Sequence, residues 1–361
     1  MRTRRTDDRE VAGAGHETAS VERGLLATPR ASSTRVATTC ALVLLVSALL
    51  WTACSNTTGP AERPTRADLI PADAVKVTPE TDVFVPVLQS AGWADPVPMP
   101  GPINTAGGED SPFIAPDGSV FLFWWTPDVS IPAEEQVGDG GTGIWYTDGG
   151  AGARAWDEPT FVDLNSGLLP SLEGCPTLDG TTLWFCSVRS GNYGLIDAWL
   201  ADYAGPGVWT NRRNAGQTLN ETYDIGEWHV LDGGSEIVFG SDRADGYGDM
   251  DLWSTWHNEG EWSVPENLGP NVNDAGHQSR PFVTSDGEEL WFTGTSRLGY
   301  HGPAVFRSLK QGVSWGPAEE IVSNYAAEPT VDDDGNLYFV HHFMDADEEM
   351  IEADIYVCYR R

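Results

Sequence analysis

The chain has 361 residues, enough for one large domain and a leader. Its 54 acidic and 21 basic residues give a formal net charge of −33 at pH 7, a surface that repels phosphate backbones and excludes a nucleic-acid partner. With 15 Trp, 40 Gly and 24 Pro among short apolar runs, the composition suits many short strands rather than helices.

Residues 1–35 contain seven Arg and no long apolar run, and Val36 to Cys54 is then almost uncharged and apolar. A basic flank, an apolar core and a small-residue end have the form of an export signal. Trp51-Thr52-Ala53-Cys54 resembles a bacterial lipobox. That resemblance implies a diacylglyceryl group on Cys54 and cleavage just before it. The same run also fits a plain transmembrane anchor, since its length is near the lower limit for spanning. Residues 1–53 are therefore assigned to export and 54–82, polar with Pro and Thr, to a flexible tether. Residues 83–361 form the folded domain. The expected location is the cell envelope, facing the periplasm or the exterior, with membrane contact through the lipid alone.

The folded domain carries an internal repeat. Trp93, Trp156, Trp209, Trp262 and Trp315 recur at spacings of 63, 53, 53 and 53 residues. Asp-Gly pairs at Asp117, Asp179, Asp232, Asp286 and Asp334 keep the same rhythm. Asp-Gly between apolar runs is a hairpin signal, because Gly accepts positive φ at little cost. Each turn joins a short first strand, often with Pro near its start (Ser111-Pro112, Arg280-Pro281), to a more apolar second strand such as Leu290-Trp291-Phe292-Thr293. A third strand follows a Gly-rich loop, and the Trp segment is the fourth. Units this small cannot bury both faces alone, so they stack radially. The prediction is all-β: a five-bladed β-propeller of four-stranded antiparallel blades. The first Trp segment has no third strand before it and the last copy has no fourth strand after it. Trp93–Met99 is therefore predicted to complete the last blade.

The stretches Ser241–Trp253, Trp262–Asn273 and Arg280–Gly287 resemble the TolB-type (WD40-like) propeller repeat, and Gly101–Gly118 is similar to another copy. The resemblance covers 93–361 and implies the fold. It implies little about function, because such repeats serve binding modules, envelope proteins and peptidase accessory domains.

Propeller ligands meet the face where fourth-to-first and second-to-third loops emerge, and here that face is acidic. Glu109, Asp110, Glu173, Glu221, Asp224, His277 and Glu328 stand at first-strand starts as catalytic candidates. A converging carboxylate pair would support glycoside chemistry, its spacing deciding the stereochemical outcome. The alternative is ordinary acidic loops around a solvated hole. Blades one and five break the repeat, with Trp124-Trp125 and His341-His342 where the others carry Arg189, Arg243 and Arg297. These two blades adjoin in the closed ring, so Trp124, Trp125, Arg280, His341 and His342 are the predicted ligand-binding residues. Neighbouring strand residues face opposite ways, so at most one of each pair is free. Asp242, Asp245 and Asp249 lie in a loop suggestive of calcium without the full EF-hand spacing, with turn capping as the alternative. No cofactor is required by any motif. Cys175 and Cys186 flank the second-blade turn and are the predicted disulfide, leaving Cys358 single. No nucleophile elbow, phosphate loop or His-Glu-x-x-His motif occurs. The leading expectation is a monomeric, membrane-tethered propeller that binds a glycan or protein ligand. The alternative is a glycan-active hydrolase or lyase.

Overall fold

The computed structural model describes residues 63–136, 138–149, 156–165, 171–205 and 207–361. The export region and Cys54 lie outside them. Among the described residues no helix is long and apolar enough to cross a membrane.

Two short strands come first, β1 (Val87–Leu88) and β2 (Val97–Pro98). The first meander is β3 (Gly108–Ile114), β4 (Val120–Thr126), β5 (Gly143–Asp148) and β6 (Thr160–Phe161). The second is β7 (Leu172–Asp179), β8 (Thr182–Val188), β9 (Asp197–Gly205) and β10 (Val208–Asn214). The third is β11 (Gly226–Leu231), β12 (Glu236–Ser241), β13 (Asp251–Asn258), then β14 (Glu261–Trp262) and β15 (Glu266–Asn267), which share the outer position. The fourth is β16 (Gln278–Val283), β17 (Glu289–Thr295), β18 (Pro303–Gln311), then β19 (Ser314–Trp315) and β20 (Glu319–Ser323). The fifth is β21 (Ala326–Val331), β22 (Leu337–Met344) and β23 (Met350–Cys358). Within each meander successive strands pair antiparallel. The innermost strands touch in the cyclic order β3, β7, β11, β16, β21 and back to β3. The fold is a β-propeller.

The ring closes as its register requires. β2 pairs antiparallel with β23, Val97 opposite Val357, and Trp93 bridges Arg360. The Ala94 and Met99 amides donate to the Tyr359 and Ile355 carbonyls. Trp93 is fully buried, stands edge-on to Trp291 at 5.4 Å, and donates its indole N–H to Gly335 O. Three of the other repeat Trp side chains also pack on aromatic rings: Trp156 on Phe121, Trp209 on Tyr146 and Tyr203, and Trp262 on His257.

The innermost strands share one irregularity. In each, the register slips at a left-handed residue: Ser111 (φ 48°), Cys175 (50°), Glu227 (47°), Arg280 (51°) and Glu328 (57°). Pro follows four of them and Trp228 the fifth. Proline fits here because an innermost strand has a free edge at the axis and needs no ladder donor there. A residue before Pro is normally driven to extended backbone, and non-Gly residues avoid positive φ. Five such residues at equivalent positions are strain held by the ring, and the result is five side chains aimed inward.

Residues 63–86 form a strap over the face where the innermost strands begin, across the seam of the first and fifth meanders. Thr65 caps a single helical turn, α1 (Arg66–Leu69), in a capping box with Asp68. Arg66 is buried, donating to Ile103 O at 2.8 Å and pairing with Glu109. Leu69 packs so closely on Gly141 that a Cβ there would stand 2.2 Å from its methyl. Lys76 pairs with Glu352 and Asp354, and Asp82 meets the His341 Nε2 at 3.0 Å with both side chains fully buried. β1 then adds to β20 as a fifth strand of the fourth meander. Residues 63–82 fall in the stretch expected to be a tether, and they are docked because three charged strap residues, Arg66, Lys76 and Asp82, find partners on the propeller.

Burial pushes the Glu109 carboxyl up to about 7, against the pull of Thr105 and Arg66. A folded-state value above the free one means that Glu109 adds stability below about 4.5 and loses it as pH rises through 7. Urea unfolding of Glu109→Gln should therefore show a flatter decline between pH 5 and pH 8 than the parent. Identical slopes would place the ionisation elsewhere.

Candidate functional site

The five left-handed residues make a ring around the axis, and each contributes different chemistry. Arg280 spans it. Its Nε lies 3.0 Å from Glu227 and its Nη1 3.2 Å from Glu328, 3.2 Å from Ser111 Oγ and 3.4 Å from Cys175 Sγ. One guanidinium thus touches the ring residue of every other meander. The cavity between these side chains is about 50 Å³, room for a few waters but not for a sugar ring. A ligand on this axis sits above the ring, in the funnel.

The funnel wall at the seam comes from the two meanders that depart from the repeat. Asp110 precedes the bulge of β3 and stands opposite Trp124 of β4. Its carboxylate is 3.9 Å from the His342 Nε2 of β22. Burial would raise the Asp110 acid, but His342, Arg280 and the nearby Glu328 carboxyl outweigh it and hold Asp110 well below the usual carboxylate range. Glu328 shifts the opposite way. Burial pushes it up, Arg280 opposes, and Asp110, Glu227 and Cys175 push it further, so it is held well above the usual carboxylate range. Glu227 and Glu328 each leave one buried oxygen without a hydrogen-bond donor.

Alternation splits each predicted pair. Trp124 and His342 are partly exposed to the funnel. Trp125 is fully buried beside Trp145, its indole donating to Thr105 Oγ1, and His341 is sealed against Asp82. Of the predicted ligand-binding set, Trp124, Arg280 and His342 therefore reach the funnel and Trp125 and His341 do not.

The catalytic candidates divide in the same way. Asp110 and Glu328 reach the axis. Glu109 points under the strap to Arg66. Glu173 points into an ion pair with Arg189, and burial is the main cause that pushes its carboxyl above the usual carboxylate range. Glu221 is exposed on the single π-helical turn Thr218–Tyr223. Asp224 is exposed just beyond that turn, and His277 is exposed at the start of β16. Ser111, Cys175 and Glu227 complete the ring and were not singled out for it. Their signal was the Xaa-Pro step at one register in four first strands, which read as a strand start rather than as an aimed side chain.

Other repeat features are structural. Arg189, Arg243 and Arg297 stack on Trp199, Trp253 and Phe306 at 4.9, 5.3 and 4.7 Å. The acidic loop before β13 folds around Asp251, whose buried carboxylate accepts the Tyr247 and Gly248 amides and the Asn267 side chain. Asp242, Asp245 and Asp249 are exposed there and do not converge, and no cluster of three metal-ligating side chains occurs among the described residues. Cys175 and Cys186 are two thiols with sulfurs 3.4 Å apart, not the expected disulfide. The bulge makes Gly174, not Cys175, the residue opposite Cys186 and turns Cys175 to the axis. On the opposite face, a groove of about 420 Å³ lies among the Asp-Gly turns of the fourth and fifth meanders, with Asp286, Asp333, Lys310 and Arg360 on its walls.

No family model matches this chain, and no curated protein matches it. Solved structures do. TolB from Acinetobacter baumannii is 13% identical with a TM-score of 0.38, over 71% of this chain and 55% of that one. Xylan β-1,4-xylosidase from Bacillus halodurans C-125 is 10% identical with a TM-score of 0.45, over 72% and 54%. An α-L-arabinofuranosidase from Podospora anserina is 13% identical with a TM-score of 0.41, over 73% and 95%. The chain spans about half the length of the first two.

Proposed function

We propose that this chain is a monomeric binding propeller of the cell envelope, tethered through a lipid on Cys54, that holds a glycan end in its funnel. The observation that carries the reading is the seam: partly exposed Trp124 stands opposite Asp110, whose carboxylate is 3.9 Å from His342, in the two meanders that break the repeat, with partly exposed Arg280 on the neighbouring one. Aromatic faces suit the apolar side of a pyranose, and ionised or polar groups at their rim suit its hydroxyls. Binding is favoured over turnover because the axial cavity where Arg280, Glu227 and Glu328 meet is only about 50 Å³ and admits waters but no sugar ring.

The second reading, a glycan-active enzyme, is supported by the opposite shifts of two funnel carboxyls, Asp110 held low and Glu328 pushed up. Titration calorimetry over a panel of oligosaccharides, with product analysis on the same mixtures, separates the two. The expected result is binding without turnover, weakened about tenfold or more in Trp124→Ala. Turnover that disappears in a folded Glu328→Gln variant would establish the enzyme instead.

A further inference from the structure

We infer that Cys175 and Cys186 form a redox-active dithiol on the funnel floor, with Cys175 the attacking sulfur and Cys186 the resolving one. Three features of the geometry carry this. The sulfurs lie 3.4 Å apart, in contact and unbonded. They sit on different strands, Cys175 on the bulge of β7 and Cys186 on β8, and the residue opposite Cys186 is Gly174. A Cβ on Gly174 would stand 3.3 Å from the Cys186 sulfur, so the missing side chain leaves that sulfur room beside its partner. The left-handed backbone of Cys175 turns its thiol into the axial cavity, 3.4 Å from the Arg280 Nη1. Cys186 lies on the next strand, its sulfur against Gly174.

The two thiols are also electronically unequal. The Cys186 thiol beside it is the main influence lowering Cys175, and Arg280 assists against burial. Cys186 is pushed up, first by Cys175 and then by burial. A thiol whose anion is favoured, beside a partner whose thiol form is favoured, is the arrangement of a reactive thiol with its resolving cysteine. Cys358 has neither feature: it is fully buried on β23, and burial raises its thiol to about 12.

The reaction with a small-molecule disulfide balances as two exchanges. The Cys175 thiolate attacks one sulfur of the reagent, a mixed disulfide forms, and the first small thiolate leaves. That thiolate takes the Cys186 proton. The Cys186 thiolate then attacks Cys175 Sγ, the intramolecular disulfide forms, and the second small thiolate leaves. The two cysteine sulfurs give up two electrons, and the reagent is reduced to two thiols. Oxidation withdraws Cys175 from Arg280, so the redox state changes one of the four partners of the central guanidinium.

The test uses the reduced protein and neutral hydroxyethyl disulfide, read by intact mass and by non-reducing peptide mapping. The parent should become lighter by two hydrogens, with Cys175 linked to Cys186, and dithiothreitol should reverse the change without unfolding. Cys186→Ser should stop at one stable adduct on Cys175, and Cys175→Ser should give none on Cys186. Gly174→Ala crowds the resolving sulfur, so it should form the Cys175 adduct but close the disulfide more slowly. A parent that stays fully reduced overturns the proposal. So do equal adducts in the two serine variants, or a linkage that only denaturant and reductant together can open.

Discussion

Trp93→Ala is expected to destabilise the propeller by about 3–5 kcal/mol, the range for removing a fully buried large aromatic side chain. Trp93 fits that class, being 1% exposed and enclosed by Trp291, Arg307 and Arg360. Its indole also donates across the seam to Gly335, in the turn of the fifth meander. The substitution thus leaves a cavity and an unpaired carbonyl at the joint where the chain's first blade strand meets its last. Deleting Trp93–Met99 should do more, because β23 then loses β2 and becomes a bare edge. Equilibrium urea unfolding checks both. A Trp93→Ala protein within about 1 kcal/mol of the parent would mean that the seam does not hold the ring.

Arg280→Met is the second large expected effect, about 2–3 kcal/mol, at the lower end for a buried ion pair because the guanidinium keeps a quarter of its exposure. Methionine replaces the stem but none of the four contacts at the axis. Glu227 makes the nearer carboxylate contact, 3.0 Å from the guanidinium against 3.2 Å for Glu328, and loses it in the variant. The double variant Arg280→Met, Glu227→Gln should therefore recover part of the loss, a coupling that thermal unfolding of the four proteins in a double-mutant cycle would measure. Strict additivity would show that Arg280 does not organise the ring.

Much of the fold was legible because repeats constrain one another. Trp spacing, Asp-Gly turns and a missing fourth strand fixed the blade plan and the closing segment without any side-chain detail. The site was legible only in part. Alternation along β4 and β22 correctly allowed one free residue per pair, but which one depends on the register against β3 and β21, a long-range property. Asp110 and Glu109 are sequence neighbours with opposite fates, one at the axis and one under Arg66, for the same reason. The bulge residues were harder still. Ser111, Cys175 and Glu227 share no chemistry, so only the Pro after two of them marks the position. The strap was missed because its apolar content is low. It docks through Arg66, Lys76 and Asp82, and paired charges leave no hydrophobic pattern in a sequence.

The central claim is that ligand chemistry sits in the funnel at the seam. The most direct measurement is a nitrogen-15 NMR titration of the folded domain with the tightest-binding oligosaccharide from the panel. The account predicts shifts of the Trp124 indole and the Arg280 Nε signals, with the buried Trp93 and Trp125 indoles unmoved. Shifts confined to the opposite face, around Asp286, Asp333 and Lys310, would contradict it.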